Sequence, residues 1–276
     1  MAVKLVATDL DGTLLNNGKK FDYQRFTALL DQMDARDMKL VVATGNHLDQ
    51  IKQYFAPVNP ARLLYISSNG AMVSDNEDIL YERPVSKAQI KKVVAWNAST
   101  RAEMENLIIL SGAKAAYVSN HATPEIIQAV RQFYPRVEQI DKLVEVDDDI
   151  LVMELIWPEN ANVKEYVKEL RQTFGEELHT TGSGFGSVSI LAAHTDKSTG
   201  LKALSDIYGI QPDEMAAFGD NSNDLEMLRY VGHPYVMPNA EAFMHERIPS
   251  TAVADNEHDG VIATIEQLIE QEDQKR

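Results

Sequence analysis

Short apolar runs recur along the chain, each closed by a small or polar turn, and between several of them apolar positions fall three and four residues apart. Val3, Leu5 and Val6 lead into Asp9-Leu10-Asp11-Gly12-Thr13. Lys39–Ala43 ends at Thr44-Gly45-Asn46, and Leu63–Ile66 ends at Ser67-Ser68-Asn69-Gly70. Runs this short read as buried strands, and Gly12 marks where the first must break into a turn. Between the strands, Phe26, Leu29, Leu30 and Met33 line one helical face, and a second helix is expected from about His47 to Phe55, closed by Pro57 and Pro60. Strand and helix alternating in this way predict a parallel sheet with helical crossovers, an α/β doubly wound core.

The rhythm then changes. Met72-Val73 and Ile79-Leu80-Tyr81 read as a small hairpin around Asp75-Asn76. Ser86-Lys87-Ala88-Gln89 has the spacing of a capping box, and Ile90, Val93 and Val94 continue the helix. Leu107–Leu110 and Ala115–Val118 are two close apolar runs. Thr123-Pro124 starts a helix carrying Ile126, Ile127 and Val130. Ile150–Ile156 is a strand, and Val163, Tyr166, Val167 and Leu170 mark another helix. Helices among several short strands predict an inserted α+β module over residues 86–187, between core segments 1–85 and 188–276. The α/β rhythm resumes at Val188–Leu191. A helix follows Lys197 and stops at Gly209, a strand Met215–Phe218 runs into Gly219-Asp220-Asn221-Ser222-Asn223-Asp224, Tyr235–Met237 is a further strand, and Val261, Ile262, Ile265, Leu268 and Ile269 form a last amphipathic helix.

Composition narrows the function. The 276 residues, 44% of them hydrophobic, suffice for one large domain or two modest ones. Asp and Glu number 42 against 26 Lys and Arg, a net charge of -16, so nucleic acid and anionic membrane are poor partners. The absence of cysteine excludes disulfides and thiolate chemistry and suits a cytoplasmic protein. A first strand at about Val3 leaves no room for a signal peptide.

Asp9 and Asp11 stand two residues apart at the mouth of a buried strand, where bare like charges are costly. Mg²⁺ is the usual neutraliser of such hard oxygen ligands. A solvated turn after an edge strand would also use Asp-x-Asp. Thr44 precedes a helix N-terminus, a place for an anion or an ordinary cap. Two carboxylates and two amides crowd into Asp220–Asp224, more than capping alone requires. In open α/β sheets ligands bind beyond the carboxyl ends of strands, and Asp9, Asp11, Thr44, Lys197, Asp220 and Asp224 are all expected at such ends.

The ordered set Asp9-Leu10-Asp11-Gly12-Thr13, then Thr44, then Lys197, then Gly219-Asp220-x-x-Asn223-Asp224 resembles the four motifs of the haloacid dehalogenase superfamily. The insert between Thr44 and Lys197 resembles the α+β cap of its Cof-type phosphatase branch. The strings Val41–Asn46, Ala116–Ser119 and Gly182–Gly186 are most similar to the bacterial sugar phosphatases of that branch. The resemblance implies a Mg²⁺-dependent phosphatase acting on small phosphorylated metabolites, with sugar phosphates the expected class, through an aspartyl-phosphate. It implies Asp9 as nucleophile and Asp11 as acid and base, with Thr13 supporting the turn. Leu10, Thr44, Gly45, Lys197 and Asn223 would bind the phosphoryl group and substrate. Asp9, the Asp11 main-chain carbonyl and Asp220 would hold the metal, with Asp224 supporting the acidic loop. Many relatives have Thr-Gly-Arg where this chain has Thr44-Gly45-Asn46, so a positive charge is missing there.

Other features carry less. Gly182-x-Gly184-x-Gly186 is followed by a strand rather than a helix, which argues against a dinucleotide loop and for a turn or a hinge bearing Phe185, with Pro84-Val85 a second hinge. His47 is the only histidine near the motifs and reads as packing, as do Trp96 and Trp157. A phosphomutase on the same scaffold is the nearest rival. A receiver-like phosphoacceptor lacks a counterpart of Asp11, and a silent sugar-phosphate binder would not need every motif carboxylate. Oligomeric state is not legible in the sequence.

Overall fold

The structure is a computed structural model describing residues 2–76, 78–100, 107–156, 163–182 and 187–274. Trp157 and the Gly184-Phe185-Gly186 turn lie outside the described residues. The chain divides into two compact units, one made of Met1–Thr44, Ile51–Tyr81 and Asp196–Arg276, the other of Gly45–Gln50 and Glu82–Thr195. In chain order the elements begin β1 (Leu5–Thr8), α1 (Tyr23–Asp34), β2 (Lys39–Ala43), α2 (Leu48–Phe55), β3 (Leu64–Ser67), β4 (Met72–Asp75) and β5 (Asp78–Glu82). They continue α3 (Lys87–Thr100), β6 (Leu107–Gly112), β7 (Ala116–Ser119), α4 (Pro124–Val130), β8 (Val137–Ile140), β9 (Ile150–Ile156), α5 (Val163–Phe174), β10 (Leu178–Gly182) and β11 (Ser187–Ala192). They end with α6 (Lys197–Tyr208), β12 (Met215–Gly219), α7 (Leu225–Tyr230), β13 (His233–Val236), α8 (Ala242–Arg247) and α9 (Gly260–Asp273). No helix among the described residues is long and apolar enough to cross a membrane.

The first unit holds a seven-stranded sheet in the order β13-β12-β1-β2-β3-β4-β5. It is parallel from β13 to β3, and β4 returns antiparallel to β3. Every residue of β1 is buried, because a parallel sheet is covered on both faces and its strands are apolar throughout rather than alternating. On one face Leu5, Ala7, Val41, Ala43, Ile66 and Ala217 pack against Leu201 and Leu204 of α6 and Met227 and Leu228 of α7. The chain builds outward from β1 through β2 to β3, then on the opposite side from β12 to β13. The order therefore reverses between β1 and β12, and the crevice beyond their carboxyl ends is where such sheets bind ligands.

The second unit holds a six-stranded sheet, β10-β11-β9-β6-β7-β8. Its pairs are antiparallel except β7 with β8. Ile90, Val93 and Leu170, from α3 and α5, pack with Met153, Leu155, Val188 and Ile190. Val130, Ile126 and Ile127 of α4 pack with Ile109 and Val118. The Ser86 capping box forms, its hydroxyl accepting from the Gln89 amide at 3.3 Å and its own amide donating to Gln89 Oε1 at 2.9 Å. Trp96 packs edge-on against Phe174, 6.1 Å between ring centres.

One strand joins a different sheet from that expected. Val188–Leu191 was expected to open the second core segment. It lies in β11, which pairs antiparallel with both β9 and β10, so the second unit runs on to Thr195. A four-residue apolar run announces a buried strand but not its partner. The short elements β8, β10, α7 and α8 carry too few residues for periodicity to show them.

Candidate active site

The site begins where β1 runs out. The Asp9 amide still donates to Phe218 O at 3.0 Å, as the next rung of the β1–β12 ladder. The chain then folds back on itself, with the Leu15 amide on Leu10 O at 2.8 Å and the Thr13 amide on the same carbonyl at 3.2 Å. Gly12 makes this turn possible at φ +80°, and a Cβ there would stand 2.5 Å from Asp220 Oδ2. Thr13 Oγ1 donates to Asp220 Oδ1 at 3.0 Å, tying the first motif to the last. Asp9 is buried, whereas the Asp11 side chain is 42% exposed and pairs with Lys19. The Leu10 side chain is fully buried, so only its backbone is available to a ligand.

Lys197 is the first residue of α6 and has no exposed surface. It does not follow a core strand, as the sequence had implied. It is placed by the helix start, where Asp196 Oδ1 accepts from the Ser198 and Thr199 amides at 2.8 and 3.3 Å. Its ammonium donates to Asp9 Oδ1 at 2.5 Å and Asp224 Oδ1 at 2.6 Å. Asp224 Oδ2 accepts from the Asp220 and Asn221 amides, both at 3.0 Å. Gly219 lets this loop close, since a Cβ on it would lie 2.4 Å from that of Asp224.

Carboxylates of Asp9, Asp220 and Asp224 thus converge, with oxygens within 4.8 Å of one another, around one ammonium. Burial pushes the Asp9 carboxyl well above its ordinary value; Lys197 opposes this, and Asp224 and Asp220 add to it. Burial, and then Asp224, raise Asp220 to about 6 against the pull of Thr13 and Lys197. Burial alone would lower Lys197, but Asp224 and Asp9 outweigh it and keep the ammonium charged. Asp224 spends both oxygens on Lys197 and the loop amides. Asp9 and Asp220 each have a second oxygen with no such bond among the described residues, and this surplus of hard, negatively charged donors fits a divalent metal ion.

Thr44 closes β2, buried, its amide donating to Ile66 O at 2.9 Å. Its carbonyl accepts from the Asn69 amide at 3.0 Å. Asn223 Nδ2 donates to Asn69 Oδ1 at 3.1 Å. Direct bonds therefore join Asp9, Thr13, Lys197, Asp220 and Asp224, while Thr44 and Asn223 are joined through Asn69, which sequence reasoning did not single out. Its signal was available, because Ser67-Ser68-Asn69-Gly70 is a polar turn at the end of a core strand. Gly45 follows Thr44 and is exposed. His47 Nδ1 accepts from the Asp49 amide at 3.3 Å, and its ring meets Tyr134 edge-on.

A lysine held between two buried carboxylates thus stands at the switch point of a doubly wound sheet, where such folds bind their ligands. The family model for haloacid dehalogenase-like hydrolases matches residues 6–265, and the chain belongs to that family. It is 29% identical over 273 residues to the 5-amino-6-(5-phospho-D-ribitylamino)uracil phosphatase YbjI of Escherichia coli, covering 99% of this chain and 98% of that one. It is 25% identical over 263 residues to an HMP-PP phosphatase of Citrobacter koseri, covering 91% and 89%. A solved structure from Streptococcus mutans superposes with a TM-score of 0.87 at 27% identity, over 96% of this chain and 98% of that one. The protein is a phosphoric monoester hydrolase of the haloacid dehalogenase type.

Proposed function

We propose that this protein removes the phosphoryl group from sugar and sugar-alcohol phosphates, with Mg²⁺ as its metal and Asp9 as the nucleophile. The observation that carries the reading is the Lys197 ammonium held 2.5 Å from Asp9 and 2.6 Å from Asp224. That contact orients the Asp9 carboxylate at the end of β1, and one of its oxygens attacks. In the first step this oxygen bonds to phosphorus and the ester P–O bond breaks. The departing alkoxide takes a proton from Asp11. In the second, Asp11 takes a proton from water, whose oxygen bonds to phosphorus as the Asp9 O–P bond breaks, releasing phosphate and restoring Asp9. Splitting the reaction in two replaces one difficult step by two easier ones.

Asp11 suits both roles by its position. Its partner Lys19 is half exposed, and surface pairs of this kind are worth only about 0–1 kcal/mol, so Asp11 can exchange Lys19 for substrate. Thr44, the Gly45 backbone, the Leu10 backbone, Lys197 and Asn223 hold phosphoryl oxygens, and Thr13 holds Asp220. Asp9, the Asp11 carbonyl and Asp220 would hold Mg²⁺, which when bound neutralises charge on the phosphoryl oxygens and on Asp9. The sugar-alcohol class is supported by the E. coli relative, whose named substrate carries its phosphate on a ribityl chain. It also fits the neutral Thr44-Gly45-Asn46 turn, which offers amide and hydroxyl rather than guanidinium contacts.

The test is turnover of a panel of sugar, sugar-alcohol and aryl phosphates with and without Mg²⁺, for wild type and Asp9→Asn. Sugar-alcohol phosphates should head the panel, chelation should stop turnover, and Asp9→Asn should lose at least 10³ in kcat. A variant keeping a tenth of wild-type kcat, or full activity after exhaustive chelation, would overturn the corresponding assignment.

A further inference from the structure

The turn that closes β3 contains the only two consecutive non-glycine residues at positive φ among the described residues, Ser68 at +52° and Asn69 at +51°, followed by Gly70 at +95°. All four residues from Ser67 to Gly70 are buried. The Ser67 hydroxyl has no hydrogen-bond partner among the described residues. Left-handed backbone on side-chain-bearing residues and an orphaned buried hydroxyl are both unfavourable, and they persist where the surroundings demand that geometry.

The demand comes from three motif loops. The Asn69 amide holds the Thr44 carbonyl at 3.0 Å. Asn69 Oδ1 accepts from Asn223 Nδ2 at 3.1 Å. Gly70 lies so close to Asp196, the cap of the helix that starts with Lys197, that a Cβ on it would stand 1.9 Å from the Asp196 carbonyl oxygen. Only an asparagine or aspartate combines ease at positive φ with a short side-chain acceptor, and an aspartate would add a negative charge beside a site for a phosphate dianion.

We propose that Asn69 is a positioning residue for phosphoryl transfer, which sets the orientation of the Asn223 amide. An asparagine amide presents an oxygen or a nitrogen to a ligand depending on which way it is turned. With one N–H of Asn223 held by Asn69 Oδ1, its carbonyl oxygen faces away on the other side of the amide. Its second N–H remains to donate to a phosphoryl oxygen. Without Asn69 the amide turns, and part of the population presents oxygen to an anion. This inference rests on the phosphatase reading above.

The test is a double-mutant cycle on Asn69→Gly and Asn223→Ala, read by turnover of p-nitrophenyl phosphate with Mg²⁺ and by thermal melting. Glycine adopts the left-handed backbone at no steric cost, so Asn69→Gly removes the side chain and keeps the turn. Its melting temperature should stay at or above that of wild type while kcat/KM falls ten- to a hundredfold. Asn223→Ala should lose at least as much. The double variant should lie within twofold of Asn223→Ala, because a residue that acts through Asn223 has nothing left to orient. Losses that multiply in the double variant, or an Asn69→Gly enzyme within twofold of wild type, overturn the proposal. If Asn69→Gly does not fold, Asn223→Ala decides alone, and activity within twofold of wild type overturns the proposal. A wild-type protein that hydrolyses neither aryl nor sugar phosphates removes the phosphatase reading and this inference with it. An active wild type with multiplying losses removes the inference only.

Discussion

Lys197 has no exposed surface and touches two carboxylates, yet three carboxylates surround it. Replacing it by methionine keeps the length of the side chain and removes the charge. Asp9 and Asp224 would then be buried without a counter-ion, and breaking a buried pair in this way costs about 3–5 kcal/mol. Lys197→Met is expected to melt markedly lower than wild type and to lose turnover by at least 10³. A variant of unchanged melting temperature in thermal denaturation would show that the pair contributes no net stability. The surplus charge also makes the metal-free protein respond to pH. Asp220 binds its proton more tightly in the fold, up to about 6, than its ordinary value of 3.8. Its contribution is therefore most favourable below that ordinary value and is lost as pH rises to about 6, with Asp9 shifted in the same direction. A divalent cation competes with these protons. Mg²⁺ should raise the melting temperature more at pH 7.5 than at pH 5 in fluorimetric melts, and an equal rise at both would contradict the surplus-charge account.

Elements carry these residues to their places, and here the sequence was legible in part. The turn after β1 could be read directly, because Asp9, Asp11 and Gly12 lie together in a chain segment whose apolar run fixes where the strand stops. The loop after β12 was legible for the same reason. Lys197 was legible only by its order among the motifs. What positions it is the cap at Asp196, a local signal that the sequence reading passed over, and the packing of α6 on β3, which leaves none. Asn69 was missed because its value lies in bonds to residues 25 positions before it and 154 after it, which no window of sequence contains. The packing of α6 gives a prediction at this scale. A Cβ on Gly200 would stand 2.6 Å from Ile66 Cγ2, and Ile66 is fully buried in β3. Gly200→Ala therefore forces the helix or the strand to shift, at about 1–3 kcal/mol for overpacking. Because the same helix starts with Lys197, kcat on an aryl phosphate should fall at 25 °C, where the variant is still folded. Wild-type kcat with a lowered melting temperature would show that the lysine tolerates the shift.

At the scale of the whole molecule, the carboxylates, Thr44, Lys197 and Asn223 all belong to the first unit, while Glu82–Thr195 carries none of them. A phosphoryl group is the same on every substrate, so the leaving group has to be read by something else. We propose that the second unit supplies that discrimination. Where the chain is cut decides whether this can be tested. Excising residues 86–187, the boundary that periodicity alone marks, would leave most of β11 behind. That strand pairs with β9 and β10, so its buried Val188, Ile190 and Leu191 would be left without their sheet, an exposed apolar edge prone to aggregate. Excising residues 82–195 and joining the ends by a Gly-Ser linker removes the second sheet entire. It leaves the seven-stranded sheet of the first unit with its strand order intact, apart from the last residue of β5. The shorter excision is expected to aggregate. The longer one should melt cooperatively and hydrolyse p-nitrophenyl phosphate with Mg²⁺ at a reduced rate, while its kcat/KM values for different sugar phosphates converge. A folded product of the longer excision that still ranked sugar phosphates as the full chain does would place specificity in the first unit instead.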